Sequence, residues 1–296
     1  MANENQKETG LQKFNRAITN NKTQEYLESV LGERKGSFVN NLTALVANNA
    51  NLQACEPYTV MFAAMKATAL DLPLDNSLGF AYVIPYKDNK KGITVAQFQI
   101  GYKGFVQLSL RTNQFALIPH ATDVRQGEFI GCDRLTGEYK FKFIEDDEER
   151  QKLEVIGYVS YFKLLNGASS TFYMTKQEME QHALRYSQSY RSSNAYIKSS
   201  SKWTTDFDKM ALKTVLKLNL SKNAPLSVEL ADAINADQSI MSKAIDKYEY
   251  LDNDDDVQNE MEKAQKVAEM FADADFVDMD NNGGNETTND KQEEKQ

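Results

Sequence analysis

Residues 153–174, Leu-Glu-Val-Ile-Gly-Tyr-Val-Ser-Tyr-Phe-Lys-Leu-Leu-Asn-Gly-Ala-Ser-Ser-Thr-Phe-Tyr-Met, decide the fold. Two runs rich in Val, Ile, Tyr, Phe and Thr favour the pleated conformation. Between them stands Asn166-Gly167, the pair that suits a two-residue turn with positive φ at both positions. Residues 153–165 and 169–174 are therefore read as a β-hairpin. Working outward, 115–124 and 138–144 also read as strands, and the acidic run 145–149 as a solvated loop. Residues 80–86 and 93–100 form a second pair around the polar connector 87–92. Ile93 and Val95 alternate there, while Phe98 and Ile100 slip phase.

Helical spacing surrounds this β-rich centre. Towards the N-terminus lie 23–31, then 37–49 with Phe38, Leu42, Leu45 and Val46, then 57–70 opening on Pro57. The first ten residues read as disordered. Between strands, 101–111 reads as a helix opening at a glycine-containing turn. Towards the C-terminus lie 176–187, a serine-rich loop at 187–201, and a helix at 205–221. Thr205 is its expected N-cap, with Asp206 and Asp208 near the positive end of its dipole. Short helices are expected at 227–236 and 239–248. Helices, then strands, then helices, without βαβ alternation, predict an α+β fold. Its sheet is mostly antiparallel and flanked by helices, with a flexible acidic C-terminal tail.

Charge is unevenly distributed along the 296 residues. The formal net charge is -9, yet residues 252–296 hold 15 acidic and 4 basic side chains, leaving 30 basic and 28 acidic in 1–251. The acidity belongs to a tail that lacks the apolar content to order itself, apart from one helical spacing at 259–271. Three segments follow: 1–34, partly flexible and available for contacts between subunits; 35–251, a core; and 252–296, the tail. The two cysteines stand far apart and suggest no disulfide framework. No run of about 18 apolar residues occurs, and Met1 to Glu8 lacks the apolar stretch of a signal peptide. The expectation is a cytoplasmic protein.

Motifs for covalent chemistry are scarce. No phosphate-binding Gly-x-x-x-x-Gly-Lys-Ser/Thr loop occurs, and His120, His182, Cys55 and Cys132 lack zinc-ligand spacing. No cofactor or metal is expected. The nearest enzyme-like set is Asp123 with Glu138 and Lys140, which would suit a metal-dependent nuclease. An exposed strand face produces the same spacing.

Two basic segments carry the functional signal. In 101–111, Lys103, Gln107 and Arg111 are four residues apart, on one helical face, and Gly101 and Gly104 would let a partner approach the backbone. In 182–222, Arg185, Arg191, Lys198, Lys202, Lys209, Lys213, Lys217 and Lys222 face only Asp206 and Asp208. Tyr186, Tyr190, Tyr196 and Trp203 are interleaved among them. Cations beside aromatics suit a single nucleic-acid strand, since charges track phosphates while rings stack on bases. Lys209, Lys213 and Lys217 form a stripe along one helix edge. The structural alternatives are a solvated edge for the stripe, a core anchor for Trp203, and a charged hairpin tip that blocks aggregation for Lys87, Lys90 and Lys91.

Residues 100–108, Ile-Gly-Tyr-Lys-Gly-Phe-Val-Gln-Leu, resemble the central motif of the RecT family of phage recombination proteins. Residues 203–215, Trp-Thr-Thr-Asp-Phe-Asp-Lys-Met-Ala-Leu-Lys-Thr-Val, resemble its later Trp…Met-x-x-Lys-Thr motif. The resemblance runs from about 35 to 235. It implies a phage or prophage protein, related to the Redβ group, that anneals complementary single strands during homologous recombination without ATP and without catalysing covalent chemistry. It also implies rings or helical filaments with DNA, including the annealed duplex intermediate, in a basic groove shared by subunits. A phage exonuclease is an implied partner, with the host single-strand-binding protein as another through the C-terminal region. By the same resemblance Lys103, Arg111, Trp203, Lys209 and Lys213 fall on the DNA-binding core. A plain single-strand-binding scaffold remains the competing reading.

Overall fold

A computed structural model describes residues 8–88, 91–240 and the backbone of 241 and 248–249. Five helices come first: α1 (Gly10–Thr19), α2 (Asn21–Leu31), α3 (Lys35–Ala47), α4 (Ala50–Gln53) and α5 (Pro57–Ala69). Order begins before residue 10, because Thr9 and Gln12 close a reciprocal cap. Thr9 Oγ1 accepts from the Gln12 amide at 3.2 Å and the Thr9 amide donates to Gln12 Oε1 at 2.8 Å. Phe14 and Ile18, one turn apart on α1, are buried, as are Leu27 and Leu31 on α2. Burial of these apolar faces joins 10–31 to the same hydrophobic core as the rest. α5 is the innermost helix of this group, with Val60, Met61, Ala63, Ala64 and Ala67 buried.

Strands β1 (Ala81–Asp88) and β2 (Ile93–Ile100) pair antiparallel, with Ala81 opposite Ile100. The phase slip in β2 has a physical cause: both faces are covered, and Val95 to Phe98 are all buried. α5 packs on this strand, where the Glu56 amide donates to the Thr94 carbonyl at 2.7 Å. The chain then forms α6 (Tyr102–Arg111), β3 (Phe115–Arg125), β4 (Phe129–Cys132), β5 (Tyr139–Phe141), α7 (Asp147–Gln151), β6 (Val155–Leu164) and β7 (Ser169–Thr175). β3, β6 and β7 make a three-stranded antiparallel sheet with β6 central, and β4 and β5 a separate hairpin.

The turn that joins β6 to β7 differs from the expected one. Gly167 adopts φ +88°, while Asn166 stays outside the positive-φ region. The Leu164 amide donates to the Ala168 carbonyl at 2.7 Å and the Gly167 amide to the Leu164 carbonyl at 3.0 Å. This is a three-residue loop with glycine at the left-handed position. Asn166 contributes Oδ1, which accepts from the Ala168 amide at 3.0 Å.

Helices α8 (Lys176–Tyr186), α9 (Gln188–Arg191), α10 (Ala195–Ser200), α11 (Lys202–Thr205), α12 (Phe207–Asn223) and α13 (Val228–Ala236) follow, then β8 (Ile240–Met241), which pairs with β9 (Tyr248–Glu249). α12 lies against the three-stranded sheet. Its buried Asn219 donates to the Ser160 carbonyl at 3.1 Å and accepts from Ser170 Oγ at 2.7 Å.

Several expectations need correction. The 187–201 loop holds α9 and α10, each one turn or little more, capped by Ser187 and Asn194; helices so short leave no apolar period. Asp146 caps a short helix in the acidic run. Asp206, not Thr205, takes the N-cap position of α12. The expected helix at 239–248 gives way to β8 and β9, because Ser239 is captured by the edge of β2: the Phe98 amide donates to its carbonyl at 3.1 Å. The acidic tail, with its helical spacing at 259–271, lies outside the described residues. The expected α+β class with antiparallel pairing holds.

Candidate nucleic-acid interface

The first basic segment is anchored by its glycines. A Cβ on Gly101 would lie 2.0 Å from the Gly79 carbonyl oxygen, and one on Gly104 would lie 2.2 Å from that of Phe80. Both glycines therefore admit the chain's own backbone at the start of β1, where the sequence suggested an external partner. The Gly101 amide donates to the Phe80 carbonyl at 2.8 Å, and Tyr102 Oη accepts from the Ala121 amide of β3 at 2.9 Å. Held in this way, α6 leaves Lys103 and Gln107 exposed. Arg111, expected beside them, turns inward. Its guanidinium donates to the Leu70 carbonyl at 2.6 Å, the Asp71 carbonyl at 2.7 Å and Glu229 Oε1 at 3.1 Å. That geometry ties α6 to the loop after α5 and to the first turn of α13.

In the second segment, Trp203 is buried at the centre of a ring cluster. Phe207 meets it edge-on at 5.4 Å, with Tyr190 and His182 each at 6.5 Å. Tyr158 of β6 donates to Asp208 and packs on Phe207, which staples the start of α12 to the sheet. Around this anchor the cations divide into two sets. Arg185, Arg191, Lys198, Lys202 and Lys209 are exposed. Lys202 and Lys209 share Asp206 at 3.1 and 3.0 Å, and the hydrogen bonds from Lys209, Thr205 and Lys202 hold its carboxyl well below the usual carboxylate range. Lys198 lies over the Tyr190 ring at 5.4 Å, and Tyr196 is 83% exposed.

Lys213 and Lys217, the rest of the expected stripe, lean onto an acid, Lys213 buried and Lys217 partly exposed. Both meet Asp237, at 3.5 and 2.8 Å. Asp237 is fully buried at the end of α13 and accepts the Ile100 amide at 2.8 Å. Burial raises its proton affinity, but Lys213, Lys217 and the Ile100 amide more than offset that, so it stays ionised. Burial lowers the pKa of Lys213, against the pull of Asp237. His182 of α8 lies nearby. Burial first, then Lys217, Arg185 and Lys222, push its pKa down to about 4. The imidazole is thus neutral, with burial as the main cause.

The sequence reading missed Asp237; it weighed His182 only as a metal ligand and counted Lys222 in the basic segment without selecting it as a contact. Asp237 offered one signal, an acid just past an apolar helix; the other two offered proximity alone. Asp123 is engaged by Arg125 at 2.8 Å and Arg150 at 3.2 Å, and those cations outweigh its burial and hold its pKa low. Arg150 also grips buried Glu128 at 2.6 Å. This network pins the β3–β4 turn to α7. Among the described residues, no group of three His, Cys, Asp or Glu is placed to hold a metal ion. No helix there is long and apolar enough to cross a membrane.

An α+β core with glycine-anchored α6 and a Trp-centred cationic helix cluster is the arrangement that the two motifs share, and the chain belongs to the RecT family, whose sequence profile matches residues 36–260. Membership supports a role in recombination or strand annealing. The chain is 37% identical over 241 residues to the uncharacterized protein YqaK of Bacillus subtilis (strain 168), spanning 80% of this chain and 78% of that protein. It is 28% identical over 192 residues to Protein RecT of Escherichia coli (strain K12), spanning 62% of this chain and 64% of that protein.

Proposed function

We propose that this protein binds single-stranded DNA and anneals complementary strands without ATP, in a basic groove shared by neighbouring subunits of a ring or filament. The observation that carries the reading is the excess of exposed cations on α8 to α12. Seven exposed cations, Lys176, Arg185, Arg191, Lys198, Lys202, Lys209 and Lys222, stand on these helices with the exposed ring of Tyr196, against exposed Glu178, Glu180 and Asp208. Such a surface neutralises phosphates and stacks bases while leaving base edges free to pair. Lys103 and Gln107 would extend it along α6. Lys213 and Trp203 would act from below, by supporting the helices that present the charges. Lys217 contributes the partly exposed edge of the Asp237 cluster.

A single subunit offers few phosphate contacts, so useful affinity on long DNA requires many adjacent subunits. The acidic segment 252–296 would serve partner docking, with a phage exonuclease and the host single-strand-binding protein as the candidates. The test is an annealing time course with purified protein and complementary oligonucleotides, without nucleotide triphosphate. Faster pairing than the protein-free control supports the reading. A strict ATP requirement, or tight binding that blocks pairing, overturns it, and the second outcome marks a plain single-strand-binding scaffold.

A further inference from the structure

We infer that Asp237 is a positioning residue for the nucleic-acid site, acting through Lys217. This rests on the function proposed above and adds to it a residue outside both basic segments. Asp237 has three partners from two elements: the Ile100 amide at the end of β2, and Lys213 and Lys217 of α12. One carboxylate therefore joins the approach to α6 with the lysine edge of α12, the two segments that carry the cations. The three charged groups leave one positive charge over. Exposure assigns that charge to Lys217, whose side chain is 24% exposed against 11% for Lys213 and 0% for Asp237.

A free lysine on a surface must be ordered before it can hold a phosphate, at a cost of about 0.5 to 1.5 kcal/mol for an immobilised flexible side chain. Lys217 is already ordered by its 2.8 Å contact to Asp237. Burial first, and then the same ammonium, oppose a charge on the neighbouring His182 ring. A phosphate arriving beside Lys217 therefore meets a cation already fixed in place. Replacing Asp237 with Asn keeps an acceptor for the Ile100 amide but removes the charge. Buried Lys213 then loses its proton, since burial already weakens its hold on it. Lys217 loses its tether.

The experiment is a double-mutant cycle on binding of a fluorescein-labelled oligothymidylate, measured across a salt series with full-length protein. Asp237→Asn is expected to bind about three- to tenfold more weakly at fixed salt, with the slope of log affinity against log salt unchanged. Lys217→Met is expected to lower that slope by about 0.7 to 0.9 per contact. The double variant should bind no more weakly than Lys217→Met alone, because Asp237 acts through that side chain. If Asp237→Asn fails to fold, the cycle is run in Lys213→Met/Asp237→Asn, where no orphaned ammonium is left in the core. Wild-type-like binding by the Asp237 variant, or additive losses, overturns the inference. Absence of binding by the wild-type protein would instead overturn the proposed function.

Discussion

Gly104 of α6 lies so close to Phe80 that a Cβ at residue 104 would stand 2.2 Å from the Phe80 carbonyl oxygen. The obstacle is backbone, which cannot rotate aside as a side chain does. Gly104→Ala is therefore expected to destabilise the protein by about 2 to 3 kcal/mol through overpacking, read as a lower denaturant midpoint. Gly36→Ala in α3, where a Cβ meets nothing within 4 Å, should instead be neutral or stabilising by up to about 1 kcal/mol. Equal effects at the two positions would show that the contact between α6 and β1 is loose.

Trp203 and Tyr196 should separate stability from binding. Trp203 is 7% exposed within its ring cluster, and Tyr196 is 83% exposed. Trp203→Ala is expected to lose about 3 to 5 kcal/mol of stability. Tyr196→Ala should leave thermal unfolding unchanged and weaken single-strand binding by about 1 to 2 kcal/mol if its ring stacks on a base. Fluorescence titration of a labelled oligonucleotide at a temperature where both variants are folded checks this.

Arg111 should behave as a structural clamp. Replacing it with Met removes hydrogen bonds to Leu70, Asp71 and Glu229 and is expected to cost about 2 to 3 kcal/mol. The salt slope of DNA binding by the folded variant should match that of the wild type. A reduced slope would return Arg111 to the phosphate-contacting set.

Lys209 offers the opposite pattern. Its side chain is 82% exposed and its partner Asp206 also holds Lys202, so Lys209→Ala should cost no more than about 1 kcal/mol of stability. Its salt slope should fall by about 0.7 to 0.9. Lys13→Ala on α1, also exposed, is the control and should alter neither quantity.

His182 makes stability depend on pH in one direction. Its pKa falls from 6.5 to about 4 because burial, Lys217, Arg185 and Lys222 all oppose a charge on the ring. Between those values the unfolded chain takes up a proton that the folded protein refuses. The contribution of this group is therefore complete above about pH 6.5 and is lost as pH falls towards 4. Urea unfolding of wild type and His182→Gln across that range should give a difference that shrinks as the pH falls. A constant difference would mean that the imidazole titrates normally.

The chain itself fixed what depends on local pattern. Alternation and turn chemistry set the 153–174 hairpin, although glycine alone, and not Asn166, took the left-handed position. Apolar spacing set α3, α5, α8 and α12 to within a few residues. The two motifs set the family, and the excess of lysine and arginine in 182–222 marked the charged face. Tertiary structure decided which cations face solvent. Lys209, Lys213 and Lys217 repeat every four residues and look equivalent in sequence, yet the last two lean onto Asp237, an acid 20 residues or more away along the chain. Periodicity reports that residues share a helix edge; it says nothing of what lies opposite that edge. The same reason hid the inward turn of Arg111 and the neutrality of His182, because both follow from neighbours that only folding brings near.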